Sequence, residues 1–148
     1  MRGRIAVIGI GNPLRGDDGV GALLAEQVGG LSVQQLTPEL AAALAPLEAV
    51  LFLDAWLAPM GAVPRLQPLS PLPSARDGAA GESHGLTPAG LLAISQALYG
   101  RAPHAQLLLI PAHVFEHGTA LSPQLQAALP AARALLQGWL AAAPRSHA

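Results

Sequence analysis

The sequence predicts a single α/β domain, with a mainly parallel twisted sheet of about five strands and helices on both faces. Three observations carry this prediction. Near-continuous apolar runs at residues 4–9, 50–54 and 106–111 read as strands covered on both sides. Helical patterns separate the strand candidates, which implies parallel strands joined by crossovers. The chain has 148 residues, enough for one domain with a substantial core.

In chain order, the first strand (4–9) runs into a glycine-rich turn and then an apolar helix over 21–28. A second strand is expected at 33–36, followed by a helix over 38–44. A third strand spans 50–54 and a fourth 63–66. Three helices open with Ser or Thr as N-cap and Pro at the first helical position: Thr37-Pro38, Thr87-Pro88 and Ser122-Pro123. The last two begin helices over 88–98 and 123–142, the latter kinked or restarted at Pro130. Between the fourth strand and the 88–98 helix, residues 68–81 are rich in Pro, Ser, Gly and Ala and read as a mobile loop beside the site. The domain is expected to cover residues 1–142, with a frayed tail at 143–148.

Composition excludes several classes. Hydrophobic residues make up 51% and charged residues 11%, so the chain is globular rather than disordered. The net charge is −1 with no basic run, which gives no electrostatic reason for a nucleic-acid or anionic-membrane partner. The absence of cysteine removes thiol nucleophiles, thiolate ligands and disulfides, so any metal must be held by His and carboxylates. No signal-peptide pattern is visible, and no apolar run reaches the roughly 20 residues that span a bilayer. A cytoplasmic monomer is the default expectation.

The turn after the first strand, Gly9-Ile10-Gly11-Asn12-Pro13-Leu14-Arg15-Gly16-Asp17-Asp18-Gly19-Val20-Gly21, is the most informative segment. Strand-to-helix turns of parallel sheets carry ligand sites. A dinucleotide fingerprint counted from Gly9 would need its third glycine at Leu14. Asp17 and Asp18 would also repel a pyrophosphate at the helix start, where anions normally sit. The turn therefore reads as a site for a metal or cationic group. Asp17 is expected to cap the following helix, and a general-base role for it depends on geometry. Gly9, Gly11 and Gly16 serve backbone geometry, and Asn12 bonds within its own turn.

Asp54 closes an apolar run, where a carboxylate is costly to bury unless it is paired or binds a cation. His84 follows the 68–81 loop and precedes a helix start. Strand carboxyl ends share one edge of a parallel sheet, so Asp18 and Asp54 can converge there. With His84 they form a three-ligand set that leaves a position open for water or substrate, as in catalytic metal sites. Two rival motifs are weaker. Gly81-Glu82-Ser83-His84-Gly85 fits the nucleophile-elbow pattern but lacks the preceding strand. In His113-Val114-Phe115-Glu116-His117 the Glu is misplaced for a zincin helix, so the segment reads as a solvated loop with His113 at the rim of the site.

Taken together, these residues resemble the nickel–iron hydrogenase maturation endopeptidases. The resemblance rests on the turn at 9–21, Leu53-Asp54-Ala55, Ser83-His84 and Leu121-Ser122-Pro123. It implies removal of a C-terminal extension from the hydrogenase large-subunit precursor once nickel has been inserted. It also implies that Asp18, Asp54 and His84 bind the metal, which is nickel carried by the substrate; two oxygens and an imidazole suit such a borderline ion. The sequence departs from the family pattern at Leu36-Thr37-Pro38-Glu39-Leu40, where relatives carry an Asp-Gly-Gly-Thr-like turn, and at His113. Glu39 is either an acidic function or a charge favouring a helix N-terminus. Two other readings stand beside this one: a non-catalytic module that senses a metallated partner, and a nucleotide-binding domain.

Overall fold

The computed structural model describes residues 4–71, 85–113, 118 and 120–144. Five strands form one sheet: β1 Ile5–Ile10, β2 Leu31–Val33, β3 Ala49–Leu57, β4 Arg65–Leu69 and β5 His104–Ala112. Their order is β2-β1-β3-β5-β4, with β4 alone antiparallel to its neighbour. Four α-helices cover the faces: α1 Val20–Gln27, α2 Leu40–Leu44, α3 Pro88–Tyr99 and α4 Pro123–Ala142.

Alternation along the strands divides the core in two. Leu51, Leu53 and Ala55 of β3 join Val20 and Leu24 of α1 and Leu125, Leu136 and Trp139 of α4 on one face. Val50 and Phe52 of β3 join Leu44 of α2 and Leu91 and Leu92 of α3 on the other. The predicted architecture is the observed one. Among the described residues no helix is long and apolar enough to cross a membrane.

Several boundaries differ from expectation, each for a local reason. The second strand lies at 31–33, not 33–36. The Gly29-Gly30 turn closes α1 with a bond from Gly30 N–H to Ala25 O and feeds the chain directly into pairing with Ile8. β1 ends at Ile10, so residues 34–36 have no ladder to join, and Leu36 instead forms an isolated bridge with Leu86. Thr37 caps nothing with its side chain. Its backbone carbonyl accepts from Leu40 N–H in a turn, and α2 begins at Leu40 after Glu39.

Thr87 and Ser122 do cap α3 and α4, accepting from Gly90 N–H at 3.0 Å and Leu125 N–H at 3.2 Å. α4 runs through Pro130 without restarting. Pro130 and Gln126, whose carbonyl loses its usual donor, are both exposed, so water can take that bond. β4 starts two residues late and takes in Pro68 and Leu69, which the sequence assigned to a loop. Pro is tolerated there because β4 is an edge strand. The rest of the expected loop, from residue 72, lies outside the described residues, as does the tail from residue 145.

Gly9 fixes how closely α1 sits on the sheet. A Cβ on Gly9 would fall 2.1 Å from Gly21 O and 2.8 Å from Ala25 Cβ. Gly9→Ala should therefore push α1 off β1 and cost about 2–3 kcal/mol. A lower urea midpoint at unchanged m-value is the expected reading.

Candidate active site

The strand order places a topological switch between β1 and β3. From β1 the chain steps outward to β2, then returns across β1 to β3. Pairing between β1 and β3 ends at Gly9–Leu53, and β3 continues to Leu57 beside β5. Asp54 is thus the first residue of β3 beyond its β1 partner. The sequence reading had Asp54 closing the strand; it lies within it, and what ends there is the neighbour. The opening this creates at the carboxyl edge of the sheet is the crevice where open α/β folds bind ligands. Gly21 packs α1 tightly against this edge, since a Cβ there would meet Leu53 O at 2.5 Å and Ile10 O at 2.8 Å.

Asp18 reaches the same crevice from the turn after β1, within a 3-10 helix over Gly16–Gly19. Its Oδ2 accepts from Asn12 N–H at 2.9 Å. Asn12 Oδ1 accepts from Leu14 N–H at 2.9 Å, the local turn bond expected of it. Gly11 makes the fit possible: its φ is +143°, and a Cβ there would lie 1.9 Å from Asp18 O. The glycines therefore serve packing around a carboxylate. The Asn12 N–H that a phosphate would need is already taken by Asp18, which weighs against the nucleotide reading.

Asp18 and Asp54 interact. Burial pushes the Asp54 carboxyl up to about 7, the negative charge of Asp18 pushes in the same direction, and a hydrogen bond from Ala55 N–H at 2.8 Å opposes both. Asp54 is half-buried, on the sheet face it shares with Phe52 and Trp56. Two carboxylates held together and partly desolvated make a site short of positive charge. Oxygen donors of this kind suit a divalent cation, whose binding would relieve both the repulsion and the burial cost.

His84, the third residue of the expected set, lies outside the described residues, as do Ser83 of the elbow pattern and His117. Among the described residues no three His, Cys, Asp or Glu side chains are grouped to hold an ion. The chain re-enters the described structure at Gly85, where a Cβ would lie 3.5 Å from Gln35 Oε1. Leu86 then packs on the Phe52 cluster, on the Asp54 side of the sheet. Glu39 is exposed and makes no side-chain cap bond to α2.

Asp17 departs most from expectation. It is completely buried and makes no cap bond to its own helix. Its Oδ1 accepts from Ser122 N–H, and its Oδ2 accepts from Ser122 Oγ–H and His113 N–H, each at 2.7 Å. The carboxyl therefore ties the Asp18 turn to the end of β5 and the start of α4. Burial among these donors keeps it from solvent, so its place in the fold is that of a clamp. Sequence reasoning saw Ser122 only as a cap. The signal available was a hydroxyl cap next to Pro, without its distant partner.

An apolar cavity of about 920 Å3 lies elsewhere, along the outer side of β1 against Leu31, Leu44 and Leu140. Neither site carboxylate lines it.

No protein-family model matches the sequence, and no curated protein matches it. Solved structures do. The hydrogenase maturating endopeptidase HybD from E. coli superposes with a TM-score of 0.67 at 20% identity, covering 93% of each chain. The NiFe hydrogenase maturation protease HybD from Thermococcus kodakarensis gives 0.69 at 19% identity, over 91% of this chain and 97% of that one. HycI, a NiFe hydrogenase maturation protease from Thermococcus kodakarensis KOD1, gives 0.63 at 22% identity over 92% of each. Over more than nine tenths of its length the chain shares the α/β fold of these solved hydrogenase maturation proteases.

Proposed function

We propose that this chain is an endopeptidase that removes a C-terminal extension from the nickel-loaded large-subunit precursor of a nickel–iron hydrogenase. The observation that carries the proposal is the convergence of Asp18 and Asp54 at the switch point of a sheet shared with solved maturation proteases. Asp18, Asp54 and His84 are the proposed ligands. The nickel belongs to the precursor and is part of the substrate. Each described ligand is oriented by one backbone donor, Asn12 N–H for Asp18 and Ala55 N–H for Asp54. Among the described residues the second oxygen of each carboxylate accepts no hydrogen bond, which supports the proposed metal role. Asp18, Asp54 and His84 would hold a divalent ion, which would supply Lewis acidity toward a carbonyl or a water. With no cysteine in the chain, no thiol ester forms on the way.

Intact-mass analysis of purified protein mixed with nickel-loaded precursor tests the proposal. One defined C-terminal peptide should be lost, and none from nickel-free precursor or with His84→Ala. A stable complex without mass loss would instead make the chain a sensor of the metallated partner.

A further inference from the structure

The strand register places a cation in line with the site. Asp54 of β3 pairs with Leu109 of β5, and Leu109 pairs with Arg65 of β4. Paired residues point to the same face, so Asp54, Leu109 and Arg65 form one row across it. Leu109 belongs to the Phe52 cluster, as does Leu69, four residues on from Arg65, which fixes the face. Trp56 lies two residues beyond Asp54 on that face, and the Arg65 guanidinium carbon stands 5.1 Å from the centre of its ring. Arg4, Arg101 and Arg133 each donate to a protein acceptor. Arg65, among the described residues, donates to none and has no ion pair. It is exposed and lies over the Trp56 ring, a position from which its N–H groups can reach a ligand.

We infer that Arg65, stacked on Trp56, binds a carboxylate of the precursor's C-terminal segment and sets how that segment lies across the site. The inference rests on the endopeptidase reading above. A guanidinium fork recognises a carboxylate through two parallel hydrogen bonds. Two strand spacings separate the Asp54 and Arg65 backbones by about 10 Å. An extended peptide covers that in about three residues, so the carboxylate lies about three residues from the group seated at Asp54. The charge arrangement gives the residue a purpose. The Asp18–Asp54 pair repels an anionic peptide, and Arg65 supplies the attraction that brings one in and fixes its direction. The carboxylate is either an acidic side chain of the extension or its free C-terminus.

Steady-state cleavage of nickel-loaded precursor by wild type, Arg65→Gln and Arg65→Lys, with KM and kcat resolved, tests this. Arg65→Gln should raise KM about tenfold or more at nearly unchanged kcat, because a charge-assisted bond made equally in ground and transition states is lost. Arg65→Lys should recover part of the loss. Precursors with the extension's acidic side chains converted to amides, or with an amidated C-terminus, identify the source. The one bearing the true partner removed should be cleaved equally by wild type and Arg65→Gln. An unchanged KM in Arg65→Gln overturns the inference while leaving the endopeptidase reading intact. So does a raised KM that persists undiminished on every neutralised precursor. Precursor left uncut by wild type overturns the endopeptidase reading, and this inference with it.

Discussion

Asp17→Ala is expected to lower stability by about 3–5 kcal/mol, because it takes the shared acceptor out of a buried hydrogen-bond network. The carboxyl is completely buried and, among the described residues, gathers three donors, two backbone N–H groups and one hydroxyl. Truncation leaves all three facing a void, and each unsatisfied buried donor costs about 1–3 kcal/mol before any relaxation. For a chain of this length the melting temperature should fall by about 10 °C or more. Ser122→Ala should cost less, about 1–2 kcal/mol, since it removes the α4 cap and one bond to Asp17 but leaves its backbone donor in place. The double variant should be less destabilised than the two single effects added, because they share a bond. Thermal melts of the four proteins read this directly. Full additivity would mean that Asp17 and Ser122 act separately. Asp17→Asn separates clamp from volume: it keeps the shape but presents an amide to donors, and it should retain under half of the lost stability.

The sequence made some of this legible, for physical reasons. β1, β3 and β5 are buried on both faces, so each is an apolar run whatever its neighbours do. β2 and β4 are edge strands, and their ends are set by where a partner strand stops, which no local pattern records. Asp54 stood out because a carboxylate beside Phe52 and Leu53 needs a reason to be there. Asp18 stood out because carboxylates displace the anion a helix start would normally take. The clamp was hidden, since Asp17 meets His113 and Ser122 across 96 and 105 residues of chain. Seen only beside its own helix, it reads as a cap. The Arg65–Trp56 stack was hidden for the same kind of reason: it depends on β4 being antiparallel and on its register with β5.

Asp54→Asn should abolish precursor cleavage and at the same time stabilise the protein at alkaline pH. The two effects share one cause. In the folded state the Asp54 carboxyl titrates near 7, well above the value of about 3.9 of an unfolded chain, chiefly because ionising it there means desolvating the charge. Between those values the folded protein binds the proton and the unfolded chain does not, so this group's contribution falls as pH rises through the window. Below about 4 it costs nothing, and above about 7 the cost is complete. Allowing for the partial exposure of the side chain, that cost is about 2–4 kcal/mol. An amide of the same shape never ionises and can still accept from Ala55 N–H. The variant should therefore melt roughly 5 °C or more above wild type at pH 8 and level with it near pH 4. Asp18→Asn should lose cleavage too. By removing the like charge that adds to the Asp54 shift, it should recover only part of the alkaline stability. Melting curves from pH 4 to 8, run beside cleavage assays on the same preparations, check both halves. An Asp54→Asn protein that melts with wild type at every pH would mean that the carboxylate carries no burial penalty. Wild-type processing by both variants would take both residues out of the reaction. Lost cleavage in a more stable protein is the signature of a carboxylate retained at an energetic cost for the cation it meets.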